Sequence, residues 1–468
     1  MDGTATPFDT KFDAARGSQA AARLERLPVS GYHRMIFFII ALAFFFDSID
    51  LGMMTFVLGS IKTEFGLSTQ AAGALASMSF VGMVLGAAMS GLLADRFGRK
   101  SVFQVSMIIW GISSYLCSTA PDVTTLGVYR FLLGVGMGME FPVAQTLMSE
   151  FIPAKARGRY VALMDGFWPL GFICAGLVSY FVLSSYNWRT VFAVLAVPAL
   201  FLLVVRRFIP ESPRWLEHAG RQQEAEAVLH KFESKVMRSL KLNSLPEPLW
   251  SSSSLLTPLA PRSNSFMALW SPQHRSRTIM IWGLWFFALL GFYGLTTWLG
   301  TLLQQAGFAV TKSVLYTVLI SLGGIPGFLT AAWLVEKWGR KPTCIAALLG
   351  GALMAYLYGK SAMSGHENAL IASGLCMQFF LFGMWAVLYT YTPELYATGV
   401  RATGSGFASA VGRIGSLLGP YIVGVVLPSW GQGGVFTVGA LCFVMAAALV
   451  FFLGIETRGM ALEELSAD

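Results

Sequence analysis

Twelve mainly apolar stretches, each near the roughly 20 residues that a helix needs to cross a bilayer, alternate with polar segments along the chain. They fall near 35–61, 70–93, 102–119, 123–147, 159–183 and 190–208, and then near 278–304, 313–335, 342–359, 367–391, 402–427 and 433–454. A charged stretch separates the two sets of six. Its first part, Glu211 to about Lys241, has helical spacing, whereas Ser251 to Ser254, Pro258, Pro261 and Pro272 break helices further on. The pattern predicts an amino-terminal tail over 1–34, a six-helix bundle over 35–208, a linker with short helices over 209–276, a second bundle over 277–455 and a tail over 456–468.

The two halves repeat each other. Leu93-Ala-Asp95-Arg96-Phe-Gly-Arg99-Lys100 returns as Leu334-Val-Glu336-Lys-Trp-Gly-Arg340-Lys341, each directly after the second apolar stretch of its half. Glu150 and Arg157 likewise return as Glu394 and Arg401 after the fourth. Two motifs in the same order at nearly constant offset indicate a parallel duplication.

Composition adds the solvent. Hydrophobic residues make up 55% of the chain and charged residues 12%, about half the charge of a soluble domain, so most of the surface faces lipid. The net charge of +8 reports topology. Of 33 Lys and Arg, 27 fall in the tails and the alternate loops of one side, Lys62, Arg189, Lys312 and Lys360 on the other, and Arg130 and Arg413 within spans. That bias predicts cytoplasmic termini and no role in nucleic-acid binding. The polar start has no apolar core with a small-residue cleavage site, so no cleaved signal peptide is expected. No Asn-x-Ser/Thr sequon occurs, which fits a bacterial inner membrane.

Cys117, Cys174, Cys344, Cys376 and Cys442 show no CxxC spacing and read as membrane-buried thiols. His33, His218, His230, His274 and His366 lie in tails, loops or helix ends. No metal or cofactor is therefore expected. Gly134-Val-Gly-Met-Gly138 lies inside an apolar helix with no soluble strand before it, which excludes a nucleotide loop. The absence of a nucleophile-and-base set argues against an enzyme.

In the loop Gly91 to Lys100, an acid ends one helix and basic residues begin the next, with Gly98 permitting the turn. Asp95 is placed to pair with a basic group or a helix amino terminus. This loop, Arg130-Phe-Leu-Leu-Gly134-Val-Gly136-Met-Gly138, and Pro210-Glu-Ser-Pro-Arg-Trp-Leu216 resemble signatures of the major facilitator superfamily. The resemblance implies an all-α membrane protein with the major facilitator fold, twelve transmembrane helices in two pseudo-symmetric six-helix bundles, and alternating access. It also implies a structural role for Arg130, and a cytoplasmic gate built from Asp95, Arg96, Arg99, Glu150, Arg157, Glu336, Arg340, Glu394 and Arg401. In this reading Asp95 pairs with Arg157 or Arg159, and Glu336 with Arg401.

Phe46-Asp47-Ser-Ile-Asp50, Glu140-Phe-Pro-Val-Ala, Trp385-Ala-Val-Leu-Tyr389-Thr-Tyr391-Thr-Pro-Glu394 and the segments Arg401 to Gly406 and Gly412 to Gly415 together resemble the bacterial niacin transporters. That group is related to organic-ion transporters and to synaptic vesicle glycoprotein 2. The resemblance implies import of nicotinate, or of a related small aromatic monocarboxylate, by a chain expected to act as a monomer, with proton coupling an open possibility. A symporter of another aromatic or sugar-derived acid, or a non-transporting sensor, would carry the same loops.

Ionisable residues inside spans are functional candidates by default. Asp47, Asp50, Glu140 and Asp165 are the candidates for proton coupling. Arg413 is the candidate carboxylate reader, because its guanidinium fork matches that anion; it lies on a stripe with Ser405, Ser409, Ser416 and Pro420. The alternative is an internal pair between Arg413 and Glu140 or Asp165. Trp168, Tyr293, Trp385 and Tyr389 could hold a flat ring, and Gln304 or a tyrosine hydroxyl could reach a ring nitrogen.

Overall fold

The computed structural model describes residues 19–247, 265–272, 274–364, 366–396 and 401–458, excluding the side chains of residues 19, 154, 155, 158, 162, 265, 401 and 402. The proline- and serine-rich part of the expected linker, residues 248–264, lies outside the described residues.

The described chain is helical and carries the expected twelve spans. The first six are Gly31–Glu64, Thr69–Phe97, Arg99–Thr119, Val123–Phe151, Arg159–Leu183 and Trp188–Phe208. Arg275–Gln305, Val310–Lys337, Arg340–Ser364 and Glu367–Glu394 follow. Thr403–Leu453 is two further spans, since Gly431 leaves helical geometry at φ 63° and ψ −170°. Several helices run beyond the apolar stretches that announced them; the first starts at Gly31 and the fourth reaches Phe151, because their polar ends continue past the hydrocarbon. Side chains such as Leu92 and Phe452 point outward and exposed, a surface suited to lipid tails.

Within each half, the second and fourth spans pack backbone to backbone. A Cβ on Gly134 would strike the Ser79 carbonyl, and one on Gly327 the Phe379 carbonyl. Small residues give membrane helices the contact area that hydrophobic exclusion cannot supply inside lipid. The tight turns after spans two and eight repeat as well, with Gly98 at φ 95° and Gly339 at φ 108°, a region that other residues adopt only at a cost.

The halves meet through spans one and seven, two and eleven, and five and eight. These contacts concentrate on the face away from the termini. Gly73 lies against Pro420 and Gly424, the Ser77 hydroxyl donates to the Leu417 carbonyl at 2.8 Å, Gln70 donates to Tyr421 at 3.1 Å, and Gly300 abuts the Thr55 carbonyl. The far face is shut.

On the terminal face, a helix that the sequence pattern left within a polar tail, Gln19–Glu25, docks on the linker helix Gln222–Leu240. Glu233 receives Arg23 at 2.7 Å and Arg26 at 2.7 Å. Burial alone would raise the Glu233 carboxyl, but the hydrogen bonds from these two guanidiniums override it and hold the group below its ordinary value.

Candidate functional site

A cavity of about 670 Å³ lies between the halves, closed toward the far face by the contacts just described. Each half supplies one charged side chain to it, Asp165 from span five and Arg413 from span eleven. Asp165 lies within span five, where Gly166 keeps helical dihedrals at φ −63° and ψ −16°, and its side chain lines the cavity. Asp165 is 6% exposed, and its Oδ1 finds no donor among the described residues.

Arg413 extends over the ring of Phe141 at 5.3 Å, a favourable position for a cation. No carboxylate pairs with it among the described residues. Glu140, one suggested internal partner, instead accepts the Trp110 indole N–H at 2.8 Å. Asp165, the other, is not within ion-pair distance of it. A half-buried guanidinium walled by aromatic rings and without a counter-ion is costly, and an entering anion removes that cost.

The expected aromatic residues converge here. Trp385 and Tyr389 stack at 5.6 Å and 23°, Tyr293 is 6.3 Å from Trp385, and Trp168 packs 5.2 Å from Phe141. Of the stripe along span eleven, Ser409 and Ser416 line the cavity. The Pro420 carbonyl instead accepts from the Trp298 indole at 3.0 Å. Trp285, not singled out from sequence, is also a wall; its indole donates to Thr392 at 2.8 Å. Its spacing of four to Leu289 and again to Tyr293, both on the wall, is the signal that marks it.

Gln304 does not reach the cavity. The face that carries Tyr293 and Thr297 continues outward as the contact between spans seven and one, and Gln304 lies on Gly59 there. It closes the far face and cannot read a ring held beside Arg413.

The other buried acids form a separate group inside the first half. Asp50 lies 4.0 Å from Arg130, both 1% exposed. Asp47, fully buried, has no donor to either oxygen among the described residues. Of the two aspartates three residues apart, Asp50 is the one with a cation beside it among the described residues. Arg130 borders a smaller space of about 400 Å³, next to the main cavity and sharing Phe80, Trp168 and Tyr293 with it.

The terminal-face motifs pair differently from the expectation. Asp95 binds Arg99 at 3.0 Å, and Arg99 also approaches Glu150 at 3.5 Å. In the second half Arg340 binds Glu336 at 3.4 Å and holds Glu394 at 2.8 Å and 2.9 Å. Both acids of the turn thus pair four residues ahead within their own motif. Arg157 turns to Glu25 at 2.5 Å because the amino-terminal helix brings that carboxylate over it. Arg96 lies over Phe97, Arg159 is exposed, and the side chain of Arg401 lies outside the described residues. A third repeated acid is present. Glu211 accepts the Lys100 amide at 3.1 Å, and Glu456 accepts the Arg340 and Lys341 amides at 2.9 Å and 3.1 Å; each sits on the amino terminus of the third span of its half.

A two-bundle protein with one central cavity and repeated loop motifs is a transporter architecture, and residues 29–468 match the family described as sugar (and other) transporter. The chain belongs to that family of the major facilitator superfamily. This transporter is 36% identical to the niacin transporter NiaP of Acinetobacter baylyi, over 95% of its own length and 99% of the relative's. It is 32% identical to the putative niacin/nicotinamide transporter NiaP of Bacillus subtilis, over 93% and 99%. Its fold matches the inward-open structure of the Escherichia coli xylose transporter XylE with a TM-score of 0.73 at 22% identity, covering 93% of this chain and 99% of that one. The protein is a multi-pass membrane transporter and not an enzyme.

Proposed function

We propose that this transporter imports nicotinate, or a closely related small aromatic monocarboxylate, across a bacterial inner membrane into the cytoplasm, where both termini lie. The observation that carries the reading is Arg413, set in an aromatic cavity with no acidic partner among the described residues. A carboxylate supplies the missing charge in bidentate form, and the ring lies along Trp168, Tyr293, Trp385 or Tyr389. The names of the two niacin-transporter relatives support the same substrate. The coupled proton is assigned to the buried acids Asp47, Asp50, Glu140 and Asp165, and the Asp95 and Glu336 motifs to the cytoplasmic gate. The functional unit is one chain.

The test is binding of nicotinate and nicotinamide to the purified full chain, wild type against Arg413→Ala. Wild type is expected to prefer nicotinate by roughly 100-fold, and the variant to lose that preference, since one partner of a buried charged pair is removed. Folded wild type that ignores nicotinate overturns the substrate. Counterflow in de-energised vesicles reads coupling separately: Asp47→Asn is expected to preserve exchange while abolishing proton-driven accumulation, and unchanged accumulation would remove Asp47 from the coupling set.

A further inference from the structure

An acidic and a basic side chain, Asp165 and Arg413, face the cavity, and neither has a hydrogen-bonding or ionic partner among the described residues. We propose that the cavity takes its ligand as a dipolar aromatic, with a cationic ring nitrogen against Asp165 and the carboxylate on Arg413. The inference rests on the reading of Arg413 given above and extends it to the other end of the molecule.

A plain aromatic anion satisfies only half of this site. Its carboxylate neutralises Arg413, but its ring offers nothing to the buried Asp165 carboxyl, whose Oδ1 has no donor among the described residues, at the cost of an uncompensated polar group. A neutral amide leaves the Arg413 charge unanswered. A ring carrying N–H⁺ or N–CH₃⁺ answers Asp165, and its carboxylate answers Arg413. The walls agree with a positive ring, since Trp168, Trp385, Tyr389 and Phe141 line the same space and aromatic faces attract cations, more strongly where water is excluded. Nicotinate enters with one proton taken from the entry side and shared between its ring nitrogen and Asp165; that N–H is the single bond formed, and it is broken when ligand and proton leave on release.

The placement also links binding to closure. Asp165 belongs to the first half and Arg413 to the second, so a dipolar ligand gives each half its counter-charge and favours the state in which the halves approach. A ligand drives such a change only through its differential affinity for the two states, and this one is held from both sides.

Calorimetry on the full chain with nicotinate, N-methylnicotinate, benzoate and nicotinamide tests the proposal. Wild type is expected to bind nicotinate and N-methylnicotinate about tenfold or more tightly than benzoate, the scale of one charge-assisted contact. Asp165→Ala should erase that margin while keeping the preference for nicotinate over nicotinamide, which Arg413 sets. Asp165→Asn, nearly isosteric, should lose N-methylnicotinate selectively and serves where the alanine variant does not fold. Equal binding of benzoate and nicotinate by wild type, or a margin that survives in either folded Asp165 variant, overturns the role of Asp165 and leaves the nicotinate reading intact. Absence of all carboxylate binding in folded wild type overturns both.

Discussion

The two halves share their packing and their loops but not their interiors. Spans two and four in the first half and eight and ten in the second meet through glycine, and the Gly98 and Gly339 turns each carry an acid, Asp95 or Glu336, paired with an arginine four residues on. The cores then diverge. The first half buries Asp47, Asp50, Arg130, Glu140 and Asp165, whereas the second carries Arg413 within its spans and aromatic rings around it. What stayed alike through duplication is what any rocking bundle needs; what differs marks the chemistry of this transporter.

The largest expected effect probes the shared part. Gly134→Val and Gly327→Val each drive a side chain into a neighbouring backbone carbonyl, so both are expected to abolish monodisperse protein in size-exclusion chromatography. Tolerance in one half alone would break the equivalence of the two packings. The next probes the difference. Arg130→Ala strands Asp50 without its cation and is expected to cost about 3–5 kcal/mol, whereas Arg130→Met with Asp50→Leu should recover most of the lost thermal stability. A double variant no more stable than the single one would give Arg130 a role beyond charge compensation.

The shared features were legible in the sequence because duplication prints them twice. The twelve spans and the repeated turns needed only hydropathy and spacing. Arg413 and Asp165 stood out because a charge inside an apolar stretch is costly, and four of the five named aromatic or polar ring contacts line the cavity. The fifth, Gln304, was misplaced because helical periodicity fixes a face but not what meets it; Gly59 on span one takes that face into an interface. Partner choice escaped for the same reason. Nothing in the spacing of Asp47 and Asp50 tells that Asp50 is the one to meet Arg130, since helix crossings set by glycine decide it. The seven-residue helix at Gln19 was too short for a periodic signal.

That helix is a further asymmetry, and pH reads it. The Glu233 carboxyl is held below its ordinary 4.5 by Arg23 and Arg26 against the opposing effect of burial. A folded-state value below the unfolded one contributes stability that is complete above about the unfolded pKa and lost as pH falls through the folded one. Hydrogen exchange in residues 19–25 is thus expected to stay slow at pH 7, after correction for intrinsic rates, and to accelerate on acidification below pH 4.5. Glu233→Gln should raise local opening roughly tenfold at pH 7 and flatten that dependence. Unaltered protection in the variant would show that apolar packing alone docks the helix.

The smallest effect returns to what the halves share. Glu211 and Glu456 each accept backbone amides at the start of a membrane helix, where the first N–H groups have no partner within the helix. Losing such a cap costs about 1 kcal/mol, so Glu211→Gln and Glu456→Gln should each lower the melting temperature by a few degrees and by similar amounts. Glutamine retains an acceptor oxygen, so what it removes is the charge at the positive end of the helix dipole. Glu456 accepts from both amides of its helix start and Glu211 from one, and a larger loss at Glu456 would show that the number of bonded amides, more than the charge, sets the strength of the cap. Equal losses would assign it to the charge.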